Sequence, residues 1–221
     1  LALAQVLSGR PQRAVYHPWN FRGWWDFGTG ALGDMGCHHI NTPYRALKLG
    51  HAASVHATAT KVFEETAPLA SIVSYDFPAR DDMPPVRLTW YDGGLRPPIP
   101  KEMEGRALPS SGELYVGDEG MMLGLEILPA SRAAKFKDVP KTLPRRSGTW
   151  GEWYEAVQGG EQAGCHFEWA GLLTEFVLLG NIAIRTGKRL DWDAENLRIT
   201  NDEDANKYVS EPYENGWSLE A

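Results

Sequence analysis

The stretch SVHATATKVFEETAPLASIVSYDFPARDDMPPVRLTWYD, residues 54–92, restricts the fold classes that the chain can adopt. It contains three strand-like segments, which are SVHATATKVF (54–63), SIVSYDFP (71–78) and VRLTWYD (86–92). In the third segment Val86, Leu88 and Trp90 alternate with Arg, Thr and Tyr, which is the period of a half-buried strand. Because turns and loops rather than helices join these segments, the sequence predicts an α+β domain rich in antiparallel pairing.

Elements on both sides of this stretch complete the predicted fold. A helix is expected at residues 34–49, with Gly50 at the usual stop position. The Pro- and Gly-rich residues 93–112 predict a long surface loop, and ELYVGDEGMMLGLEIL (113–128) predicts a hairpin. The remaining expected elements are helices at 149–158 and 169–186, a strand at 189–193 and a helical stretch at 202–213.

The segment GTGALGDMGCHH, residues 28–39, matches the dinucleotide-binding pattern G-x-G-x-x-G through Gly28, Gly30 and Gly33. A functional fingerprint follows a buried strand and precedes an acidic residue about twenty positions later. Here HPWNFRGWWDF precedes the glycines, and the first acidic residue after Asp34 is Glu64. We therefore interpret the glycines as a bend that presents the residues after them, and we predict no cofactor-binding residue in this chain.

Asp34 and His38 are the candidate catalytic residues. A spacing of four places them on one face of a helix, within reach of each other. An imidazole changes charge near neutral pH, and a neighbouring carboxylate orients it and stabilises its charged form. The residues themselves leave a second interpretation open, in which Asp34 caps the helix and His38 is a partly buried structural histidine.

Residues 1–33 form a predicted aromatic arm ahead of a domain at residues 34–221. Aromatic faces next to polar side chains suit a sugar, which presents both apolar ring faces and hydroxyl groups. The candidate substrate-binding residues are Asn20, Arg22, Trp24 and Trp25. Trp24 and Trp25, together with Trp19, are equally compatible with a core or subunit interface, whereas Trp90, Trp169 and Trp192 are expected in the core.

Two groups of Cys and His residues raise the question of a zinc site. They are Cys37-His38-His39 and Cys165-His166. Neighbouring residues on a helix point in different directions, and neither group has the spacing of structural zinc ligands. We predict no metal site, with buried cysteines and surface histidines instead.

Composition excludes several classes of protein. A net charge of −7 over 221 residues lacks the basic stripe that a nucleic-acid partner requires. Glu175 and Asn181 interrupt the longest apolar run, GLLTEFVLLGNIAI, so a buried helix is expected there rather than a membrane span. Two cysteines without C-x-x-C indicate a reduced, cytoplasmic protein.

Because the chain begins at Leu1 within a running segment, we expect further sequence upstream.

The string WNFRGWWDFGTGALGDMGCHHINTPYRALKLG (19–50) resembles the glucose–fructose oxidoreductase/inositol dehydrogenase (Gfo/Idh/MocA) family. Its D-x-G-x-H motif matches at Asp34, Gly36 and His38, while Asn41 replaces the common Asp. The resemblance continues through DFPARDDMPPVRLTWYDGG, LPSSGELYVGDEGMMLG, GLLTEFVLLGNIAIRTGKRLDWDAENLRITN and YENGWSL. It therefore covers nearly the whole chain from Tyr16 onward.

The resemblance implies the second, substrate-side domain of an NAD(P)-dependent sugar or polyol dehydrogenase. In that family an open sheet with helices on one face makes dimers or tetramers through its exposed face. His38 would act as acid/base on a sugar-type hydroxyl, assisted by Asp34. The chain contains no Glu-Lys-Pro motif, with which the family's nucleotide-binding domain ends, so NAD or NADP would bind elsewhere in the parent protein.

Two alternatives from other classes stay open at this point. One is a stand-alone carbohydrate-binding or assembly module. The other is a metal-dependent sugar lyase or hydrolase that uses Asp34, His38 and His166.

Overall fold

A computed structural model describes residues 15–136, 138–210 and Gly216. Its α-helices are α1 (Gly30–Ala46), α2 (Ala130–Ala133), α3 (Thr149–Val157) and α4 (Phe167–Thr186). Its strands are β1 (Ser54–Ala59), β2 (Ser71–Phe77), β3 (Val86–Tyr91), β4 (Leu114–Gly117), β5 (Gly120–Leu123), β6 (Glu126–Leu128), β7 (Leu190–Asp193) and β8 (Arg198–Ile199). Short 3-10 helices occur at Phe21–Gly23, Lys101–Met103, Ala134–Phe136 and Glu203–Tyr208.

The predicted α+β fold is confirmed. One sheet has the strand order β3-β2-β1-β7-β8 and the other has the order β4-β5-β6. Every pair of neighbouring strands in both sheets is antiparallel. The three strands predicted within residues 54–92 are β1, β2 and β3, and the predicted hairpin is β4–β5.

The chain divides into two compact units. Unit 1 consists of the described residues of Leu1–Arg96 and Leu172–Ala221, and unit 2 of those of Pro97–Gly171. Unit 1 therefore contains the five-stranded sheet and α1, and unit 2 contains the three-stranded sheet. Each unit has its own apolar core.

The core of unit 1 lies where α1 and α4 pack on one face of the five-stranded sheet. Phe176 of α4 is fully buried there and stacks on Tyr44 of α1, with 5.2 Å between ring centroids. It also makes edge contacts with Tyr75 and Phe77 of β2, at 5.1 and 5.4 Å. Aromatic contacts of this kind add about 0.5–1.5 kcal/mol each to the gain from burial. These contacts hold both helices on the sheet.

The core of unit 2 corrects the prediction of a surface loop at residues 93–112. Met103 and Leu108 are buried there, and they pack with Leu128 of β6 and with partly buried Leu114 and Met121. The Pro- and Gly-rich composition indicated irregular structure correctly. The composition did not indicate which apolar residues of this segment are buried, because their spacing follows no regular period.

The opposite face of the five-stranded sheet carries polar side chains. Asp76 of β2 accepts a hydrogen bond from the Ser54 hydroxyl at 3.1 Å and forms ion pairs with Arg87 at 2.7 Å and Arg189 at 3.1 Å. Arg87 chiefly, with Arg189 and Ser54, holds the pKa of the Asp76 carboxyl below its ordinary value. Both arginine side chains are more than half exposed. We call this surface the open sheet face.

Several predicted boundaries differ from the structure. Helix α1 begins at Gly30, four residues earlier than expected, so the predicted boundary between residues 33 and 34 falls inside it. Trp24 of the predicted arm forms a bridge with Thr66. The predicted helical stretch 202–213 contains the 3-10 helix Glu203–Tyr208, and its residues 211–213 lie outside the described residues. Residues 1–14 of the arm, and YENGWSL apart from Gly216, also lie outside them.

Helix α4 is the most apolar helix of the described chain. By length and composition it is able to cross a membrane, and half of its most apolar window is buried inside the protein. Its buried residues are Leu173, Phe176, Val177 and those from Leu179 to Ile184. The burial of these residues in the core of unit 1 is consistent with the helix of a packed core.

Candidate functional site

The site is built where the segment before α1 meets the first turns of that helix. Gly30, the first residue of α1, has φ = 66°, which glycine adopts without the strain that a side chain would bring. Gly28 lies directly against the backbone of Arg22, since a Cβ atom on Gly28 would be only 2.6 Å from the Arg22 Cα. This close approach folds the segment back, so that the Arg22 side chain comes near α1.

Arg22 and Asp34 form an ion pair. Arg22 Nη1 lies 3.0 Å from Asp34 Oδ2, and the two side chains are 42% and 38% exposed. An exposed pair of this kind stabilises a fold by less than about 1 kcal/mol. Its consequence is geometric, because the guanidinium covers one carboxylate oxygen of Asp34 on the first turns of α1 and leaves the other uncovered.

His38 lies one helical turn after Asp34 on α1 and is exposed. Within the described ranges, its imidazole makes no hydrogen bond or ion pair, and the charged partner of Asp34 is Arg22. The structure thus brings Asp34, His38 and Arg22 together on one side of α1, without the expected direct bond between Asp34 and His38. Both ring nitrogens of His38 remain available to a ligand.

The other candidate substrate-binding residues mainly contact their own chain. Asn20 donates from Nδ2 to the Val15 carbonyl at 3.1 Å, and the Trp24 ring makes an edge contact with Tyr16 at 4.8 Å. Trp25 donates from Nε1 to the Phe63 carbonyl at 3.3 Å. These contacts make the three residues part of the scaffold of the site, and their role in substrate binding stays a prediction.

Trp19 is the most accessible aromatic ring beside this scaffold, with 75% of its surface exposed. The tryptophans expected in the core are only half-buried. Trp90 and Trp192 donate their indole N–H groups to Asp92 at 2.7 Å and to Glu175 at 2.8 Å, and Trp169 lies in unit 2. Their polar indole atoms explain why they stay near the edge of the core.

The histidine and cysteine residues next to His38 point elsewhere. His39 is half-buried with its ring 6.3 Å from the Trp90 ring, and Cys37 approaches the Asp34 carbonyl through its Sγ atom at 3.5 Å. Cys165 belongs to unit 2 and is exposed, so the prediction of buried cysteines and surface histidines is wrong for Cys165 and for half-buried His39. Among the residues that the structure describes, no group of three metal-binding side chains forms a site.

A second histidine–carboxylate pair, which was not predicted from the sequence, lies on the other end of unit 1. His51 Nδ1 is 2.7 Å from Glu175 Oε1, and the same oxygen accepts the Trp192 indole N–H at 2.8 Å. The two paired residues are 124 positions apart. No local sequence pattern signals such a contact, because it depends on where α4 packs.

The glycine pattern at residues 28–33 lacks the surroundings of a dinucleotide-binding fingerprint. A Cβ atom on Gly30, the second glycine of the pattern, would lie 2.7 Å from Ala67 Cβ, so Ala67 stands beside the glycine that a pyrophosphate would approach. The residues ahead of α1 form a 3-10 helix at Phe21–Gly23, where a dinucleotide site has a buried strand. The glycines instead allow close packing around the start of α1.

Comparisons with known proteins add no assignment. No protein-family model matches the chain, and no curated protein matches it significantly.

Proposed function

We propose that this chain is the substrate-side and oligomerisation domain of an NAD(P)-dependent sugar or polyol dehydrogenase of the Gfo/Idh/MocA type. The observation that carries the proposal is the arrangement of Arg22, Asp34 and His38 at the start of α1. It provides an accessible imidazole one turn from a carboxylate that an arginine orients. The resemblance at D-x-G-x-H gives that arrangement its chemical interpretation.

His38 acts on the proton of a substrate hydroxyl. Oxidation of an alcohol to a carbonyl releases one proton and one hydride, and an imidazole with two available nitrogens is suited to take the proton. In the reverse direction the protonated imidazole returns it to the carbonyl oxygen. Asp34 accepts a hydrogen bond from a neighbouring hydroxyl through the oxygen that Arg22 leaves uncovered.

The nicotinamide that takes the hydride belongs, in this proposal, to a nucleotide-binding domain elsewhere in the parent protein. The contact of Gly30 with Ala67 and the 3-10 helix ahead of α1 support this assignment, so only substrate binding and proton transfer are assigned to this chain. The isolated chain is then inactive. Isothermal titration calorimetry with NAD and NADP tests this directly, and submicromolar binding to the isolated chain would contradict it.

The test of the acid/base role is the variant His38→Gln in the intact parent protein. Turnover on a panel of aldoses and polyols, with NAD and NADP as acceptors, should fall about 10² to 10⁴-fold, the usual contribution of a positioned acid/base. His39→Gln is the matched control, because His39 is the next residue on α1 and faces Trp90. We expect it to keep turnover within a few-fold, and near-normal turnover in His38→Gln would remove His38 from the mechanism.

Two further measurements separate this proposal from its alternatives. A stoichiometric zinc or manganese content by elemental analysis would favour a metal-dependent lyase or hydrolase. Sugar binding by the isolated chain, combined with inactivity of the parent protein on every alcohol and acceptor tested, would favour a binding module. The proposed domain also makes homodimers or homotetramers through the open sheet face.

A further inference from the structure

A small cavity lies at the N-terminus of α1, inside unit 1. Its volume is about 10 Å³, and its walls include the first turn of α1, Ser71 of β2, Asp92 after β3 and Asn181 of α4. A single water molecule requires about 10–15 Å³ of such space. The cavity therefore fits one water molecule and is far too small for a sugar or a nucleotide.

Asn181 supplies a hydrogen-bond donor to this cavity. The residue is 93% buried, and its Nδ2 atom has no hydrogen-bond partner among the residues that the structure describes. A buried donor without a partner is strongly unfavourable, so such groups in native proteins are nearly always satisfied. The first N–H groups of α1 have no partner within the helix, as at any helix N-terminus, and they carry partial positive charge. Both features favour a ligand that accepts hydrogen bonds.

Asp92 supplies the complementary acceptor. Its Oδ1 accepts the Ser71 backbone N–H at 2.5 Å, and its Oδ2 accepts the Ser71 hydroxyl at 2.8 Å and the Trp90 indole N–H at 2.7 Å. Each carboxylate oxygen accepts about two hydrogen bonds, so Oδ1 retains a free lone pair. A ligand between Asn181 and Asp92 must then accept on one side and donate on the other, which is what water does.

We propose that this cavity is a specific site for one water molecule. The water accepts hydrogen bonds from Asn181 Nδ2 and from a free N–H group of the first turn of α1, and it donates to Asp92. It thereby connects α4 and the end of β3 to the beginning of the helix that carries Asp34 and His38. This inference concerns the scaffold and is independent of the proposed function.

The direct test is a crystal structure of the chain at atomic resolution, with a second crystal grown in rubidium chloride. We expect one electron-density peak within 2.7–3.2 Å of both Asn181 Nδ2 and an Asp92 carboxylate oxygen, the distance range of a hydrogen bond. The absence of this peak would overturn the proposal. An anomalous rubidium signal at the peak would overturn it too, because it would identify a monovalent cation site.

A stability measurement provides a second, independent test. If water satisfies the Asn181 amide, the variant Asn181→Leu loses that hydrogen bond. Its equilibrium constant for unfolding should then rise about tenfold, which corresponds to ~1.4 kcal/mol. If the amide has no partner, the apolar replacement should leave that constant unchanged or lower it, which would contradict the proposal. Asn206→Leu calibrates the result, because both ends of that amide bond Ile199 directly at 2.7 and 3.0 Å. If Asn181→Leu does not fold, the crystal structure of the unmodified chain decides.

Discussion

Tyr44 illustrates at the residue scale how burial converts into a dependence of stability on pH. Its hydroxyl donates to the Gly50 carbonyl at 3.1 Å, and burial, with the nearby charge of Glu175, raises the pKa of Tyr44 to about 12. The ordinary value is 10.0, so the unfolded chain ionises this phenol first. The folded state therefore loses stability as pH rises: the shift of two pKa units corresponds to ~2.8 kcal/mol in all, of which about 2 kcal/mol is lost between pH 10 and 12. Urea denaturation at a series of pH values measures this loss.

Tyr44→Phe separates this effect from the titration of other groups in the same range. The variant loses the hydrogen bond to Gly50, so its free energy of unfolding at neutral pH should be lower by about 1 kcal/mol. Between pH 10 and 12 its curve should be flatter than that of the unmodified chain. Parallel losses in the two proteins would show that Tyr44 does not cause the alkaline transition.

At the element scale, the contact of α4 with α1 and the sheet depends on one glycine. A Cβ atom on Gly180 would lie 2.0 Å from the Tyr75 hydroxyl oxygen and 2.6 Å from Leu32 Cδ2, both of which are buried. Gly180→Ala should therefore lower the free energy of unfolding by about 1–3 kcal/mol, the usual cost of overpacking a core. The shift of the urea midpoint measures it.

Gly171 offers the matched control on the same helix. A Cβ atom there would have no neighbour within 4 Å, so Gly171→Ala adds only helix propensity. We expect it to be neutral or to stabilise the helix by up to about 1 kcal/mol. Equal effects of the two substitutions would mean that α4 does not pack as closely at Gly180 as the structure shows.

How far the fold could be predicted from the sequence depends on whether the signals of each element are local. Strands β1 to β3 were located to within a few residues, because alternation and turn-forming residues are local signals. The start of α1 was missed, since Thr29 makes no side-chain cap and Gly30 enters the helix from a positive φ. Met103 and Leu108 were missed because their burial depends on strands distant in sequence.

The candidate site, too, was predictable from the sequence only where its residues are close in the chain. Helical spacing placed Asp34 and His38 on neighbouring turns, and this local relation is present in the structure. The partner of Asp34 is Arg22, and that pairing requires the close backbone approach at Gly28. A glycine beside aromatic residues indicates a close contact in the fold, but the sequence does not identify the residue contacted. That residue is determined by tertiary packing.

At the scale of the whole molecule, the open sheet face is the surface through which we expect two copies to associate. Its charges balance internally, because Arg87 and Arg189 pair with Asp76, and Arg189 also lies 3.6 Å from Asp191. A second copy would therefore meet a face without net charge from these four groups. The repulsion that these four groups would add to symmetric association is then small.

Ile72 lies on this face opposite Tyr91 of β3 and is the position at which association can be tested. Analytical ultracentrifugation should show a homodimer or homotetramer for the unmodified chain, and Ile72→Arg should shift it to monomer because a new charge would be buried without a partner. Leu69→Arg is the control, since Leu69 is 85% exposed in the loop before β2 and the substitution adds the same charge outside the strands of the sheet. Circular dichroism confirms that both variants fold. A monomeric unmodified chain would contradict the predicted association, and dissociation by Leu69→Arg with Ile72→Arg still assembled would place the interface elsewhere.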